Sequence, residues 1–198
     1  MDSYGGGICQ VSTTLYNALL YSEVEITKRY PHSMLINYVE PSRDAAIAGD
    51  TKDLKFKNNY DTPIYIHGGI DDNNQLTFAI YGKETRPENR KIKLVSETTK
   101  TEEYSVTYKT NSEAAIGSME YTGSPHIGKT ARLWKVIYED GEEVGKEQIN
   151  DSYYKKSDQI IEVGIKSDNP EASALVKNAV ATQDKDKINA AIAQASAI

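Results

Sequence analysis

The chain has 198 residues, of which 38% are hydrophobic and 26% charged, and its 23 basic and 29 acidic side chains give a net charge of -6. This length suffices for one medium domain or two small ones. The acidic balance disfavours a nucleic acid or an anionic membrane surface as a partner. The sequence contains no apolar run long enough to span a bilayer, and its single cysteine excludes a disulfide within the chain.

The first element is predicted from a run of three glycines, Gly5 to Gly7, that leads into a helical pattern. The apolar residues that follow have helical spacing and predict one buried face: Val11, Leu15, Ala18 and Leu19. Glycine is unfavourable inside a helix, so we expect the helix to run from about Cys9 to Tyr21.

Cys9, the single cysteine, lies where this helix is predicted to begin. Free backbone N–H groups and the helix dipole favour a thiolate there, and thiolate is the form that attacks a carbonyl carbon. Gly6 and Gly7 leave room for a substrate, and the amides of Cys9 and Gln10 are placed to hold an oxyanion. The alternatives are a buried structural cysteine behind a tight turn and a phosphate loop, which the missing Gly-Lys-Ser/Thr ending disfavours.

The rest of the first half predicts a small antiparallel sheet behind one helix, and a polar linker over 83–90 follows it. We predict strands in four segments: Met34–Val39, Asp53–Lys57, Pro63–His67 and Gln75–Tyr81.

The second half has long alternating strands without a helical signal, including a hairpin turn at Asp140-Gly141. From 168 to 198 the pattern is helical, with Asn169-Pro170-Glu171 as a typical helix start. The predicted fold is therefore an α+β N-terminal domain, an elongated all-β second domain and a helical C-terminal tail that acts as a spacer or docking hairpin.

Four sequence blocks in the first half occur in order at compatible spacing. The blocks are YGGGICQVSTTLYNA at 4–18, YPHS at 30–33, SRD at 42–44 and DLKFKN at 53–58. Together they resemble the VanW family, which takes its name from accessory proteins of vancomycin-resistance clusters, over about Asp2 to Gly82. Family domains carry a further segment before the glycines, so we expect 1–86 to be the C-terminal part of such a domain. Tyr30 stands where the family commonly has histidine.

The second half resembles the G5 (G-five) domain, an extracellular β module, over 91–166. The five glycines of that pattern are matched by Gly117, Gly123, Gly128, Gly141 and Gly164. Such modules occur beside peptidoglycan enzymes and are associated with N-acetylglucosamine-containing polymers. The pairing is typical of Gram-positive surface proteins, so the resemblance implies an extracellular or cell-wall location, with the signal or anchor segment absent from this chain.

The VanW resemblance favours His32, in its Pro-His-Ser context, over His67 and His126 as the base beside Cys9. Asp44 is the expected orienting group for the imidazole; a pair between Asp44 and Arg43 is the alternative, and Asp53 is the substitute. The catalytic set is thus Cys9, His32 and Asp44. The expected substrate and oxyanion residues are Gly6, Gly7, Gln10, Ser12, Thr13, Ser33 and Arg43, although Ser12 and Thr13 also suit a purely structural role in the first helical turn.

We expect no metal and no cofactor. Cys9 and His32 lack further ligands at a recognisable spacing, and the turn at 71–74 lacks the glycine and glutamate of a calcium loop.

Three functions fit these features, with peptidoglycan or its fragments as the partner. The first is a cysteine-dependent acyl-transfer enzyme of L,D-transpeptidase type that acts on stem peptides. The second is a non-catalytic adaptor that binds peptidoglycan or N-acetylglucosamine polymers. The third is a structural spacer, and the oligomeric state stays open for all three.

Overall fold

A computed structural model describes residues 5–198, so Asp2 and Tyr4, which open the motif of the first half, lie outside the described residues. The elements in chain order are α1 (Ile8–Tyr21), β1 (Glu25–Lys28), β2 (Lys55–Lys57), β3 (Tyr65–Ile70), β4 (Leu76–Tyr81), β5 (Arg90–Glu102), β6 (Val106–Ala115), β7 (Met119–Thr122), β8 (Gly128–Glu139), β9 (Glu142–Tyr154), β10 (Gln159–Lys166), α2 (Pro170–Ala181) and α3 (Lys185–Ala195). This confirms the predicted fold class: a helix with small antiparallel sheets, an all-β middle region and C-terminal helices.

The chain forms two compact units that interleave along the sequence. Unit 1 comprises Met1–Thr101 and Lys129–Lys155, and unit 2 comprises Glu102–Gly128 and Lys156–Ile198. The β8–β9 hairpin of the second half therefore belongs to the same unit as the N-terminal helix. The domain limits expected from the sequence stay a prediction.

Helix α1 has the predicted ends, but the predicted buried face is confirmed only at Leu19. Val11 is 40% exposed, Leu15 and Ala18 are half-buried, and the buried residues of the helix are Ser12, Thr13, Tyr16, Leu19 and Leu20. The face is rotated because the hydroxyls of Ser12 and Thr13 bond to the backbone of Ala45. Hydrophobic periodicity does not register a buried polar contact of this kind.

The first half contains two separate two-stranded antiparallel sheets, β1–β2 and β3–β4, where one sheet was expected. The strand predicted over Met34–Val39 is wrong, because the segment is an irregular loop in which Met34 and Tyr38 are exposed. The backbone groups just before it bond elsewhere: His32 N donates to the Asp44 carboxylate, and Ser33 O accepts from Lys155 N. The loop contains Tyr38, whose ring stands edge-on to the ring of His32.

The core of unit 1 lies between α1 and the three-stranded sheet β5–β8–β9. Strands β8 and β9 are antiparallel and meet at the predicted Asp140-Gly141 turn, where both residues have positive φ. The buried residues of this core are Tyr16, Leu20, Ala45, Leu94 and Leu133.

Unit 2 has the sheet order β6–β10–β7, with β10 parallel to β6 and antiparallel to β7. Helices α2 and α3 pack on this sheet through Val176, Val180 and Ile188. The predicted helix start is present, since the Asn169 side chain accepts a hydrogen bond from Glu171 N and Pro170 is the first helical residue. Among the described residues, no helix is long and apolar enough to cross a membrane.

Candidate functional site

The start of α1 offers backbone donors next to the thiol. Gly7 caps the helix with φ of 90°, and Cys9 is the second helical residue. Ile8 N donates to Gly5 O and Val11 N to Gly7 O, while the amides of Cys9 and Gln10 have no backbone acceptor within residues 5–198. With respect to the described residues, these two amides at the positive end of the helix dipole are open to donate to a bound anion.

The thiol of Cys9 is partly buried, and its Sγ lies 3.6 Å from the backbone oxygen of Ile47. A carbonyl oxygen accepts a hydrogen bond from a neutral thiol and repels a thiolate. In this geometry the thiol is a hydrogen-bond donor, and attack through the sulfur requires a base that removes its proton.

The structure brings His32 and Asp44 into direct contact. Nδ1 of the imidazole and the backbone nitrogen of His32 each lie 2.7 Å from Oδ2 of Asp44. A carboxylate accepts from both, so Nδ1 carries a proton and Nε2 remains available to accept one. The His32 side chain is 19% exposed and thus reachable from solvent.

The Asp44 carboxylate is fully buried, and it forms a salt bridge with Arg29, not with Arg43. Arg29 Nη2 donates to Oδ1 at 2.7 Å, and the hydroxyl of Tyr154 donates to the same oxygen at 2.5 Å. Burial alone raises the pKa of Asp44, but the hydrogen bonds from His32 and Tyr154, with the charge of Arg29, hold that pKa below its usual range. Asp44 is therefore an anion beside the imidazole at neutral pH.

The two alternatives raised for Asp44 are not formed. Arg43 bonds through Nε to Asn17 and through Nη1 to Glu40. Asp53, the substitute, lies at the surface with its carboxylate 3.7 Å from Lys55. Neither residue takes part in the His32 contact.

Tyr38 contacts the imidazole of the candidate site. Its ring stands edge-on to the His32 ring, with 6.2 Å between the centroids. Burial raises the pKa of the Tyr38 hydroxyl, and a hydrogen bond with Thr13 of α1 lowers it only in part. The phenol therefore lies near both the imidazole and the helix.

An open groove runs along the exposed side of α1 from this point. Its lining includes three of the expected substrate residues, Gln10, Thr13 and Arg43, together with Tyr38 and Asn17. Most residues that line the groove have polar side chains. A substrate role for its residues stays a prediction.

The remaining expected substrate residues have the following places. Ser12 Oγ donates to Ala45 O at 2.5 Å, and Thr13 Oγ1 accepts from Ala45 N at 3.0 Å, so both hold the chain after Asp44 against the helix. Ser33 is exposed, and its Oγ lies 3.1 Å from Lys52 Nζ. Gly6 and Gly7 are exposed ahead of the helix, in the arrangement expected for them.

Sequence reasoning missed three residues that build the site: Arg29, Tyr38 and Tyr154. Arg29 precedes the Tyr-Pro-His-Ser block by one residue, which was an available signal. Tyr154 is 110 residues from Asp44, and no local pattern marks it. Within residues 5–198, no group of three or more His, Cys, Asp or Glu side chains is arranged to hold a metal ion.

Two family models match the chain. The model described as "VanW like protein" matches residues 1–81, and the G5 domain model matches residues 95–166. These matches support a VanW-like domain at residues 1–81 and a G5 domain at residues 95–166. The expectation that the first domain is specifically the C-terminal part of its family does not follow from this match.

A relative in Bacillus subtilis (strain 168), named "Uncharacterized protein YoaR", is 45% identical over 65 residues. The matched segment is 33% of this chain and 22% of that protein, so the chain spans about a fifth of the relative.

Two solved G5 structures are also similar to part of the chain. The IgA1 protease G5 domain is 22% identical, with a TM-score of 0.31, over 39% of this chain and 94% of that one. The HP0197 G5 crystal structure is 13% identical, with a TM-score of 0.24, over 38% of this chain and 95% of that one. Both TM-scores are too low to transfer a property of these domains to the chain.

Proposed function

We propose that this chain is part of a peptidoglycan-associated surface protein and that its VanW-like domain transfers acyl groups of stem peptides through Cys9. The observation that carries the proposal is the partly buried His32–Asp44 pair, which lies in the same compact unit as the thiol at the start of α1. Nucleophile, base and orienting carboxylate are the three parts that covalent acyl transfer requires.

In the proposed reaction, His32 Nε2 takes the proton of the Cys9 thiol, and Sγ attacks the carbonyl carbon of the donor peptide bond. The carbonyl oxygen becomes an oxyanion, which the free amides of Cys9 and Gln10 stabilise. The imidazolium, held by Asp44, returns its proton to the leaving amine as the carbon–nitrogen bond breaks. The amine of a second peptide then attacks the thioester, gives its extra proton to His32 and releases Cys9.

The proposed substrate follows from the pairing of the two domains. G5 domains are associated with cell-wall polymers that contain N-acetylglucosamine, and peptidoglycan carries both these sugars and stem peptides. We take an L,D-transpeptidase-like exchange at the end of a stem peptide as the reaction, and the open groove beside α1 as the place where the peptide would bind.

The decisive experiment is exchange of a labelled D-amino acid into a synthetic stem tetrapeptide, followed by mass spectrometry. Cys9→Ala and His32→Asn are expected to reduce exchange at least a hundredfold, since each removes a group that moves electrons or protons. His126→Asn, in the second half of the chain, is the control and is expected to leave the exchange unchanged. Undiminished exchange in Cys9→Ala contradicts the proposal.

A non-catalytic adaptor is the second candidate, and the hydrogen bond from Cys9 Sγ to Ile47 O favours it because the thiol is engaged by the backbone. The rate of thiol alkylation against pH separates the two functions. A midpoint well below the free-cysteine value of about 8.5 supports catalysis, and an inert thiol with retained binding to purified peptidoglycan supports the adaptor. An inert thiol in a protein that does not bind purified peptidoglycan supports a structural spacer.

A further inference from the structure

The Asp44 carboxylate accepts a hydrogen bond from Tyr154, which lies next to the last residue of unit 1 in the sequence. Tyr154, the last residue of β9, is fully buried. Its hydroxyl accepts a hydrogen bond from Ser42 N at 2.7 Å and donates to Asp44 Oδ1 at 2.5 Å. Because the Ser42 amide occupies a lone pair of the phenol oxygen, the hydroxyl proton is directed at the carboxylate.

This contact completes the set of donors around Asp44. Oδ1 accepts from Arg29 and Tyr154, and Oδ2 accepts from the backbone and ring nitrogens of His32. With two donors on each oxygen, the carboxylate has one allowed orientation, and that orientation aims Oδ2 at Nδ1 of the imidazole. Loss of the phenol hydroxyl leaves Oδ1 with one donor, so the carboxylate is held less firmly in that orientation.

A second residue of β9 supports the same cluster. Ser152 lies two positions before Tyr154, on the same face of the strand, and is buried. Its Oγ accepts from Arg29 Nη1 at 2.8 Å. One face of β9 thus fixes both Asp44 and the arginine that neutralises it.

Tyr154 also stays a donor over the whole pH range in which a thiol and an imidazole titrate. Burial and the charge of Asp44 raise the pKa of Tyr154 to about 12. The phenol therefore remains protonated whenever the site is in its working state.

We propose that Tyr154 is a positioning residue for the His32–Asp44 pair, so that strand β9, which lies in the region matched by the G5 domain model, is a working part of the acyl-transfer site. The inference rests on the proposed function, because it takes His32 as the base. It assigns to the G5-matched region a role in the chemistry of the VanW-like domain in addition to any binding of wall polymer.

The test compares Tyr154→Phe with Tyr153→Phe, a matched control at the next position, where the side chain is 56% exposed. The first measurement is the proton resonance of the His32 Nδ1–H in the free protein as a function of pH. Tyr154→Phe is expected to shift or broaden this resonance and to move its titration midpoint, whereas Tyr153→Phe leaves both as in the wild type. A wild-type resonance in folded Tyr154→Phe overturns the proposal.

The second measurement is a double-mutant cycle with Asp44→Asn in the exchange assay. Tyr154→Phe alone is expected to lower kcat about tenfold with little change in KM, the size expected for one lost hydrogen bond. In the Asp44→Asn background the same change is expected to cost less than about twofold, because its target is already altered. Losses that multiply in the double variant overturn the proposal.

These results separate the inference from the proposed function. Exchange that survives Cys9→Ala removes the function, yet the His32 resonance still decides whether Tyr154 orients the pair. If Tyr154→Phe does not fold, Ser152→Ala replaces it, since that change leaves the phenol in place and removes only the hydroxyl bonded to Arg29. A smaller shift of the same resonance is then expected, and no shift overturns the role of β9.

Discussion

Asp44 shows how a buried charge is accommodated at the scale of a single residue. An ionised carboxylate in the interior is tolerated only when charge and hydrogen bonds replace its lost hydration. Arg29, His32 and Tyr154 supply those partners. The same partners that make the residue stable also prepare it to hold an imidazolium.

Replacement of Asp44 by Asn is expected to lower the free energy of unfolding by about 3–5 kcal/mol, because Arg29 is left buried without a counter-charge. Denaturant unfolding monitored by circular dichroism measures the change. Asp53→Asn, at the exposed alternative carboxylate, is the control and should stay within about 0.5 kcal/mol of the wild type. Equal effects at the two positions would contradict the structure.

The pH dependence of stability follows from the lowered pKa of Asp44. A carboxyl with a lower pKa in the folded than in the unfolded state adds stability above its unfolded pKa, about 3.9, and this stability is lost as the pH falls through the folded pKa. The gap in unfolding free energy between wild type and Asp44→Asn should therefore be constant near neutral pH and narrow on acidification below about pH 4. A gap that widens on acidification would contradict this assignment.

At the scale of elements, the two ends of α1 are fixed in different ways. Gly7 turns the chain into the helix with φ of 90°, and Glu23 anchors the end of the helix to β5 and β8. The glycine start leaves the amides of Cys9 and Gln10 without a backbone acceptor among the described residues, whereas the contacts of Glu23 fix the end of the helix to the sheet.

Gly7→Ala is expected to destabilise the protein by about 1–2 kcal/mol, since an L-residue is strained in the left-handed region. Gly6→Ala is the matched control: its φ is not positive and its added methyl group meets nothing within 4 Å. Denaturant midpoints should fall for Gly7→Ala and stay level or rise for Gly6→Ala. The same pair tests whether Cys9 reactivity depends on the start of the helix.

Glu23 forms an ion-pair cluster with Arg90 and Lys135. Burial alone raises the pKa of Glu23, but the hydrogen bonds from Arg90 and Lys135 lower it to about 2. Glu23→Gln is thus expected to lower the unfolding free energy by about 2–3 kcal/mol at pH 7. Because the folded pKa is depressed, this difference should vanish as the pH falls from about 4.5 to about 2.

The control for Glu23→Gln is Glu25→Gln, an exposed carboxyl two residues later. Thermal unfolding at several pH values measures both variants. A Glu23→Gln penalty that persists at pH 2 would show that the loss comes from packing and not from charge.

At the scale of the whole molecule, the family matches and the compact units divide the chain differently. The G5 match covers 95–166, yet residues 129–155 of that range belong to unit 1 and carry Tyr154. The limits of the G5 match in the sequence therefore do not coincide with the limits of the compact units.

Unit 2 has its own critical position in Gly164, one of the five glycines of the G5 pattern. A Cβ at Gly164 would overlap Ala115 O and Ser118 Oγ and would lie 2.7 Å from Ala114 O. Gly164→Ala is expected to destabilise unit 2 by about 3 kcal/mol, seen as faster amide exchange in β6 and β10.

The matched control for this change is Gly145→Ala in β9, where the nearest atom to an added Cβ is a side-chain carbon of Ile137 at 3.5 Å, an ordinary contact. This variant should stay within about 0.5 kcal/mol of the wild type. Unchanged exchange in Gly164→Ala would contradict the close backbone approach.

The sequence by itself determined the elements that depend on local chemistry. Glycines before Cys9 set the start of α1, Asp140-Gly141 set the hairpin, and Asn169-Pro170 set the start of α2, because each rests on backbone preferences of adjacent residues. The motif blocks likewise predicted Cys9, His32 and Asp44 as one set, of which the structure brings His32 and Asp44 into contact.

Only the tertiary structure decided which groups surround those residues. The rotated face of α1, the loop over 34–39 and the contacts of Asp44 with Arg29 and Tyr154 all depend on hydrogen bonds between distant segments. Such bonds form when packing removes water from polar groups that then need partners, and no periodicity in the chain records which partner each group finds. The site is therefore visible in the sequence as a set of reactive residues, and its geometry exists only in the folded unit.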